Sequence, residues 1–177
     1  MKQAIFLTSE SPIPPSGGGK LRDYGLIQML LENMEVEVLC FAKADTTESY
    51  VIPPLPQGLT LTLIQHNASP IWKRALSPLR PYVVNGYSQE MAQAIKMRAK
   101  PGTLLWVSRL GMAQYIPLAK SLGYRVILDE HNIESDVLFD SAFSSIENWP
   151  QSFIALQCAY YEKNSALRLM QSLQPQT

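Results

Sequence analysis

The strongest constraint on this chain is a rhythm of short apolar runs separated by stretches long enough to hold a helix. The runs are QAIFLT (3–8), VEVLCFA (36–42), LTLTLIQ (59–65), TLLWVS (103–108) and YRVILD (124–129). A continuous apolar run bounded by turn formers is the pattern of a strand buried on both faces, as parallel strands are. LTLTLIQ instead alternates apolar and polar residues, which places it at or near a sheet edge. After the first run, Leu21, Tyr24, Ile27, Leu30 and Leu31 recur at helical spacing and predict one apolar face. A strand, a helix and a second strand within that length predict a parallel pair joined by a crossover.

The rhythm continues. Met91, Ala94, Ile95 and Met97 predict a helix within 88–100, stopped by Pro101 and Gly102. Met112, Tyr115, Ile116, Ala119 and Leu122 predict another, ended by Gly123. Asn148 and Pro150 can open a last helix with the stripe Phe153, Leu156, Tyr160, Leu167 and Met170. The region around Pro53, Pro54 and Pro56 reads as loop. Alternating strands and helices predict an α/β fold: a Rossmann-like, doubly wound, mostly parallel sheet with helices on both faces. The whole chain, 1–177, is expected to form one such domain.

Composition narrows the partners. Fifteen basic residues balance fifteen acidic ones, so no net field draws nucleic acid or an anionic membrane, and no nucleic-acid partner is expected. Trp72, Lys73, Arg74, Arg80 and Tyr82 form a local basic and aromatic cluster that allows at most peripheral membrane contact. Pro78 and Pro81 forbid a long amphipathic helix there, and a solvated loop is the expectation. The apolar start AIFL is too short for a secretory signal, and no run approaches the roughly 20 residues that span a bilayer, so a cytoplasmic location is expected. Cys40 and Cys158 share no metal or redox spacing and read as buried thiols; neither a metal nor a cofactor is expected. His66, Asn67 and Ser69 read as turn residues without a role.

In a sheet of this kind ligands gather where the loops leave the carboxyl ends of the strands. Two such loops carry chemistry. PIPPSGGGK brings Gly17, Gly18 and Gly19 to the start of the first helix, where bare amides can approach an anion, with Lys20 and Arg22 beside them. The spacing does not fit GxGxxG, and a P-loop fails because Pro14 and Leu21 stand where glycine and Ser or Thr are needed. A nucleoside triphosphatase is not expected on that ground. A dinucleotide-dependent oxidoreductase would need an acid about 20 residues beyond the glycines, and Glu35 or Glu37 are the candidates. The second loop, LDEHNIESD, collects Asp129, His131, Asn132 and Glu134 at a strand end. His131 titrates near neutrality and can orient or protonate a leaving group.

The order of SPIPPSGGGKLRDYGLIQMLLEN, SPLRPYVVNGYSQEM and RVILDEHNIES resembles the N-terminal half of a GT-B glycosyltransferase of the large retaining group-1 type, closest to sugar transferases carrying HNIE or HNVE after an aspartate-containing strand end. The likeness covers residues 3 to 165. It implies an acceptor-side domain facing a nucleotide-sugar-binding domain, with transfer in the cleft between them. It implies that Gly17, Gly18 and Gly19 sit near the donor diphosphate, that His131 is the catalytic residue beside the transferred sugar, and that Asn132 and Glu134 support that loop. Lys20, Arg22 and Arg80 are the basic residues expected to meet substrate. The implied partners are a nucleotide-sugar donor, a glycan or lipid-linked acceptor, and a separate donor-domain chain. In the family a glutamate placed like Glu162 leads into a donor domain. Here YYEKNSALRLMQSLQPQT follows, so the expectation is half an enzyme, inactive alone, whether through truncation, splitting or decay. The alternative is a non-catalytic module that binds a sugar phosphate or a protein.

Overall fold

The computed structural model describes residues 2–42, 53–65 and 87–130, together with Ala159 and Lys163, which are helical. The chain divides into two compact units, Met1–Ala68 with Gly86–His131, and Ser69–Asn85 with Asn132–Thr177. Apart from Ala159 and Lys163, everything described belongs to the first unit. The helix expected from Asn148, the basic cluster around Arg80, Cys158 and the turn residues from His66 lie outside the described residues.

The first unit is a Rossmann-like α/β fold built on five parallel strands: β1 (Lys2–Leu7), β2 (Met34–Phe41), β3 (Leu59–Ile64), β4 (Leu104–Ser108) and β5 (Arg125–Asp129). Their order across the sheet is β3-β2-β1-β4-β5, and every pairing is parallel. The alternating run does form an edge strand, β3. Central β1 is buried from Ala4 to Leu7 on both faces, which is why its sequence is continuously apolar.

Helix α1 (Gly18–Leu31) closes the first crossover. Its Ile27 and Leu30 pack into a core with Ala4, Phe6, Val36, Val38, Cys40 and Leu59. Phe6 is fully buried and stacks on Trp106, its register partner in β4, with ring centroids 6.4 Å apart. One expectation fails at the start of this helix. Leu21 is 56% exposed while Asp23 is fully buried, because the first turn of α1 lies over the ends of β1 and β4, where the groups to be met are hydroxyls.

Helix α2 (Gln89–Met97) begins at Ser88, whose side chain accepts from the Met91 amide. Met91, Ala92 and Ile95 are buried, whereas Met97 is 84% exposed; the buried face is turned by one position from the expected one, since i, i+1 and i+4 meet the sheet. Glu37 neighbours Val36 and Val38 on β2 and therefore points to the face opposite α1. It pairs with Arg98 just beyond α2, at 2.7 Å. The helix expected over 112–122 divides into a 3₁₀ segment, Leu110–Tyr115, and α3 (Ile116–Ser121). Pro117 lacks an N–H to continue the preceding turn and sits in the first turn of α3 instead. Tyr115 ties the 3₁₀ segment to α2: its hydroxyl accepts from the Ser88 amide at 2.7 Å. No helix among the described residues is long and apolar enough to cross a membrane.

Burial alone would raise the Glu37 pKa, but hydrogen bonds from Arg98 and Thr62 outweigh it and hold the group below its usual 4.5. A depressed carboxylate pKa stabilises the fold above the unfolded value and loses that contribution as pH falls through the folded value. Urea denaturation between pH 7 and pH 3 is therefore expected to show stability declining below the usual value of 4.5. In Glu37→Gln that part of the decline should be absent; an unchanged pH profile would count against the assignment.

Candidate functional site at the carboxyl rim of the sheet

Strands β1, β2 and β3 step outward in one direction, and the chain then returns to place β4 on the other side of β1. Loops leaving β1 and β4 consequently diverge, and the crevice between them is where open α/β sheets take ligands. The loop after β1 runs through Glu10 to Gly17 and into α1; the residue after β4 is Arg109.

Gly17 is the N-cap of α1, with φ 84° and ψ 159°. Only glycine adopts such angles without strain. A Cβ at Gly17 or Gly18 would meet nothing within 4 Å, so these glycines answer a backbone demand on a surface left open. No side chain caps the helix, and the amides of Gly18, Gly19 and Lys20 face outward as the orphan donors of a first turn. The expected glycine turn is thus in place, at the carboxyl end of β1.

Beneath it lies a group that sequence reading did not single out. Asp23 is fully buried. Its Oδ1 accepts from Ser108 Oγ at 2.7 Å and its Oδ2 from Thr8 Oγ1 at 3.1 Å. Thr8 follows β1 and Ser108 ends β4, so one carboxylate fastens α1 to both walls of the crevice. A buried carboxylate is costly unless hydrogen-bonded, and these hydroxyls supply donors. The signal was present in the sequence: Asp23 is in phase with Ile27 and Leu30, an acid on an apolar stripe.

Two sets of ion pairs surround this point. Arg22 reaches Asp129, at the end of β5, through both oxygens, Nη2 to Oδ1 at 2.7 Å and Nε to Oδ2 at 3.4 Å. The hydrogen bond first, and the charge of Asp129 second, raise the Arg22 pKa. Glu10 lies between Lys20, at 3.4 Å, and Arg109, at 2.8 Å. Arg109 has φ 74° and ψ 145°, angles that cost a non-glycine residue on the order of 1–3 kcal/mol. Its amide donates to the Asp129 carbonyl at 2.9 Å.

Of the expected site residues, Gly17, Gly18, Gly19, Lys20 and Arg22 therefore gather at one rim. His131, Asn132, Glu134 and Arg80 lie outside the described residues. Asp129, two residues before His131, is at that same rim. Sequence reading missed Asp23, Thr8, Ser108, Glu10 and Arg109. The acids offered for a dinucleotide ribose are corrected: Glu35 and Glu37 pair in register with Gln3 and Ile5, towards the amino ends of the strands, and Glu37 is held by Arg98 and Thr62. Cys40 is buried, and that burial pushes its thiol up to about 12, an unreactive group. Among the described residues no cluster of three or more His, Cys, Asp or Glu could hold a metal ion. Comparison with protein-family models and with the curated proteins finds no match.

Removing the buried carboxylate leaves two hydroxyls without their acceptor. Asp23→Ala is expected to cost about 3 kcal/mol and Asp23→Asn, whose amide oxygen still accepts one of them, about 1–2 kcal/mol. Denaturation midpoints measure both, and equal losses in the two variants would contradict the geometry.

Proposed function

We propose that this chain is the acceptor-side half of a GT-B, retaining, nucleotide-sugar-dependent glycosyltransferase, its Rossmann-like unit doubly wound. The observation that carries the reading is the Arg22–Asp129 pair. It joins the helix that opens on the glycine turn to the strand end that leads into HNIE, two motifs that sequence order alone keeps far apart. The resemblance requires these motifs to share one wall of a cleft, and the ion pair supports that by holding the start of α1 against the end of β5.

In this reading the donor diphosphate meets the outward amides of Gly18, Gly19 and Lys20 on this wall, while a donor-binding domain holds the nucleotide on the other. Transfer breaks the bond between the sugar's anomeric carbon and the diphosphate oxygen and forms one from that carbon to an acceptor hydroxyl. The hydroxyl proton leaves to a base, and charge grows on the departing diphosphate. Amides and cations fixed before the reaction stabilise that charge best in a closed, water-poor site. One wall alone supplies neither closure nor most donor contacts. His131 stands beside the transferred sugar, with Asn132 and Glu134 supporting its loop and Arg80 available to a phosphate of the acceptor.

Amide chemical-shift mapping of the full chain with a panel of nucleotide sugars tests this. Weak, millimolar binding is expected, with shifts confined to Gly17–Arg22 and to 129–134, and no sugar transfer to glycan or lipid-linked acceptors. Micromolar affinity, turnover by the chain alone, or shifts at the amino ends of the strands would each refute it.

A further inference from the structure

At the crevice between β1 and β4 a single carboxylate is shared by two cations drawn from different elements. Glu10 comes from the loop after β1, Lys20 from the first turn of α1 and Arg109 from the residue after β4. One oxygen of Glu10 faces each cation: Oε2 to Lys20 Nζ, Oε1 to Arg109 Nη2. These are the segments that meet where the strand order reverses.

Two features show that Glu10 is an incomplete partner. Arg109 Nε is buried and has no hydrogen-bond acceptor among the described residues, so part of the guanidinium fork is unused. In addition, Arg109 keeps a side chain at a backbone angle where glycine would be unstrained, and the guanidinium it carries is the group that meets Glu10. A phosphoryl group offers more oxygens than a carboxylate and more charge, and it suits arginine's fork of donors. The surface next to Lys20 is open, since a Cβ on Gly17 or Gly18 would meet nothing. The three side chains are 14% to 33% exposed, so the pairs holding Glu10 are within reach of a ligand from solvent.

We propose that Glu10 is an internal stand-in for a phosphoryl group, occupying Lys20 and Arg109 in the ligand-free protein and yielding them to a ligand phosphate. The crevice is then an anion site closed by its own carboxylate. This goes beyond the glycosyl-transfer reading and needs no sugar, acceptor or second domain.

The probe is inorganic pyrophosphate, added at low salt to the full chain labelled with ¹³C and ¹⁵N. In the wild-type protein the Glu10 carboxyl carbon and the Arg109 Nε–H signal should move together and saturate. Glu10→Gln, with its fold checked by circular dichroism, should bind pyrophosphate about 3- to 10-fold more tightly, and Lys20→Gln and Arg109→Gln should bind it more weakly than wild type. Acetate at matched ionic strength should leave the Glu10 signal in place; equal displacement by acetate would overturn the phosphoryl assignment. A structural ion pair predicts the opposite pattern, in which Glu10→Gln binds no tighter and the wild-type Glu10 signal stays fixed while pyrophosphate binds elsewhere or not at all, and either result overturns the proposal. Should Glu10→Gln not fold, the wild-type titration decides alone. Pyrophosphate displacing Glu10 while nucleotide sugars leave the rim untouched would remove only the glycosyltransferase reading; the reverse would remove only this one.

Discussion

The geometry of the rim depends on where the first turn of α1 sits, and that is set by one buried carboxylate. Asp23 accepts from Thr8 and Ser108, the residues at which β1 and β4 give way to loops. An apolar side chain at this position would avoid the desolvation cost of an acid. It would also leave the hydroxyls of Thr8 and Ser108 without this acceptor and the helix with one buried tether fewer along its axis, because dispersion contacts tolerate sliding that hydrogen bonds do not. Ile27 and Leu30 bury the helix; Asp23 sets its register. The outward amides of Gly18 to Lys20 inherit their position from that register.

Around this fixed point the charges act as cross-links between segments distant in the chain. Arg22 and Asp129 are 107 residues apart, and Ser108 and Asp23 are 85 apart. Taken singly, an ion pair with an arginine about half exposed adds little to stability. Its effect is directional: two parallel contacts to one carboxylate restrict how β5's end and α1's start move against each other. The Arg109 amide, bonded to the Asp129 carbonyl, ties the end of β4 to that same end of β5. Strain at Arg109 persists because the surrounding contacts over-determine it.

Much of the fold was legible because the dominant signal, apolar runs at strand length, reports burial on both faces of a sheet and needs no knowledge of partners. Strand positions and the edge assignment of β3 followed from it. Helical phase was less legible. Leu21 and Met97 are apolar yet exposed: at Leu21 a stripe read for an apolar core meets the hydroxyls of the carboxyl rim, and at Met97 the buried face of α2 runs through Met91, Ala92 and Ile95 instead. The break between the 3₁₀ segment and α3 was written in Pro117 but overridden by the apolar period around it. Of the site, the glycine turn was legible since Gly17's backbone angle demands glycine. The pairs Glu10–Arg109 and Arg22–Asp129 were not, because nothing in local spacing reveals which strand ends adjoin; that requires the order β3-β2-β1-β4-β5.

The two ends of the sheet also divide the chemistry between them. At the amino end a cavity of about 510 Å³ is lined by Glu35, Glu37, Arg98, Lys100 and neighbours. Part of this lining is already engaged: Glu37 takes Arg98 and Thr62, and Lys100 donates to Gln3. A dinucleotide ribose would need its acid at the opposite end, level with Leu39 and beyond, where β2 runs through buried Cys40 and Phe41. The described part of this strand end stops at Ala42, and Glu35 and Glu37 fail as ribose acids on position rather than on residue type. What the carboxyl end offers instead is a helix start without a capping side chain, a strained arginine and a lysine, arranged around one carboxylate. Such a surface suits an anion that arrives from outside, and the buried Asp23 beneath it keeps that surface in shape before any ligand is bound.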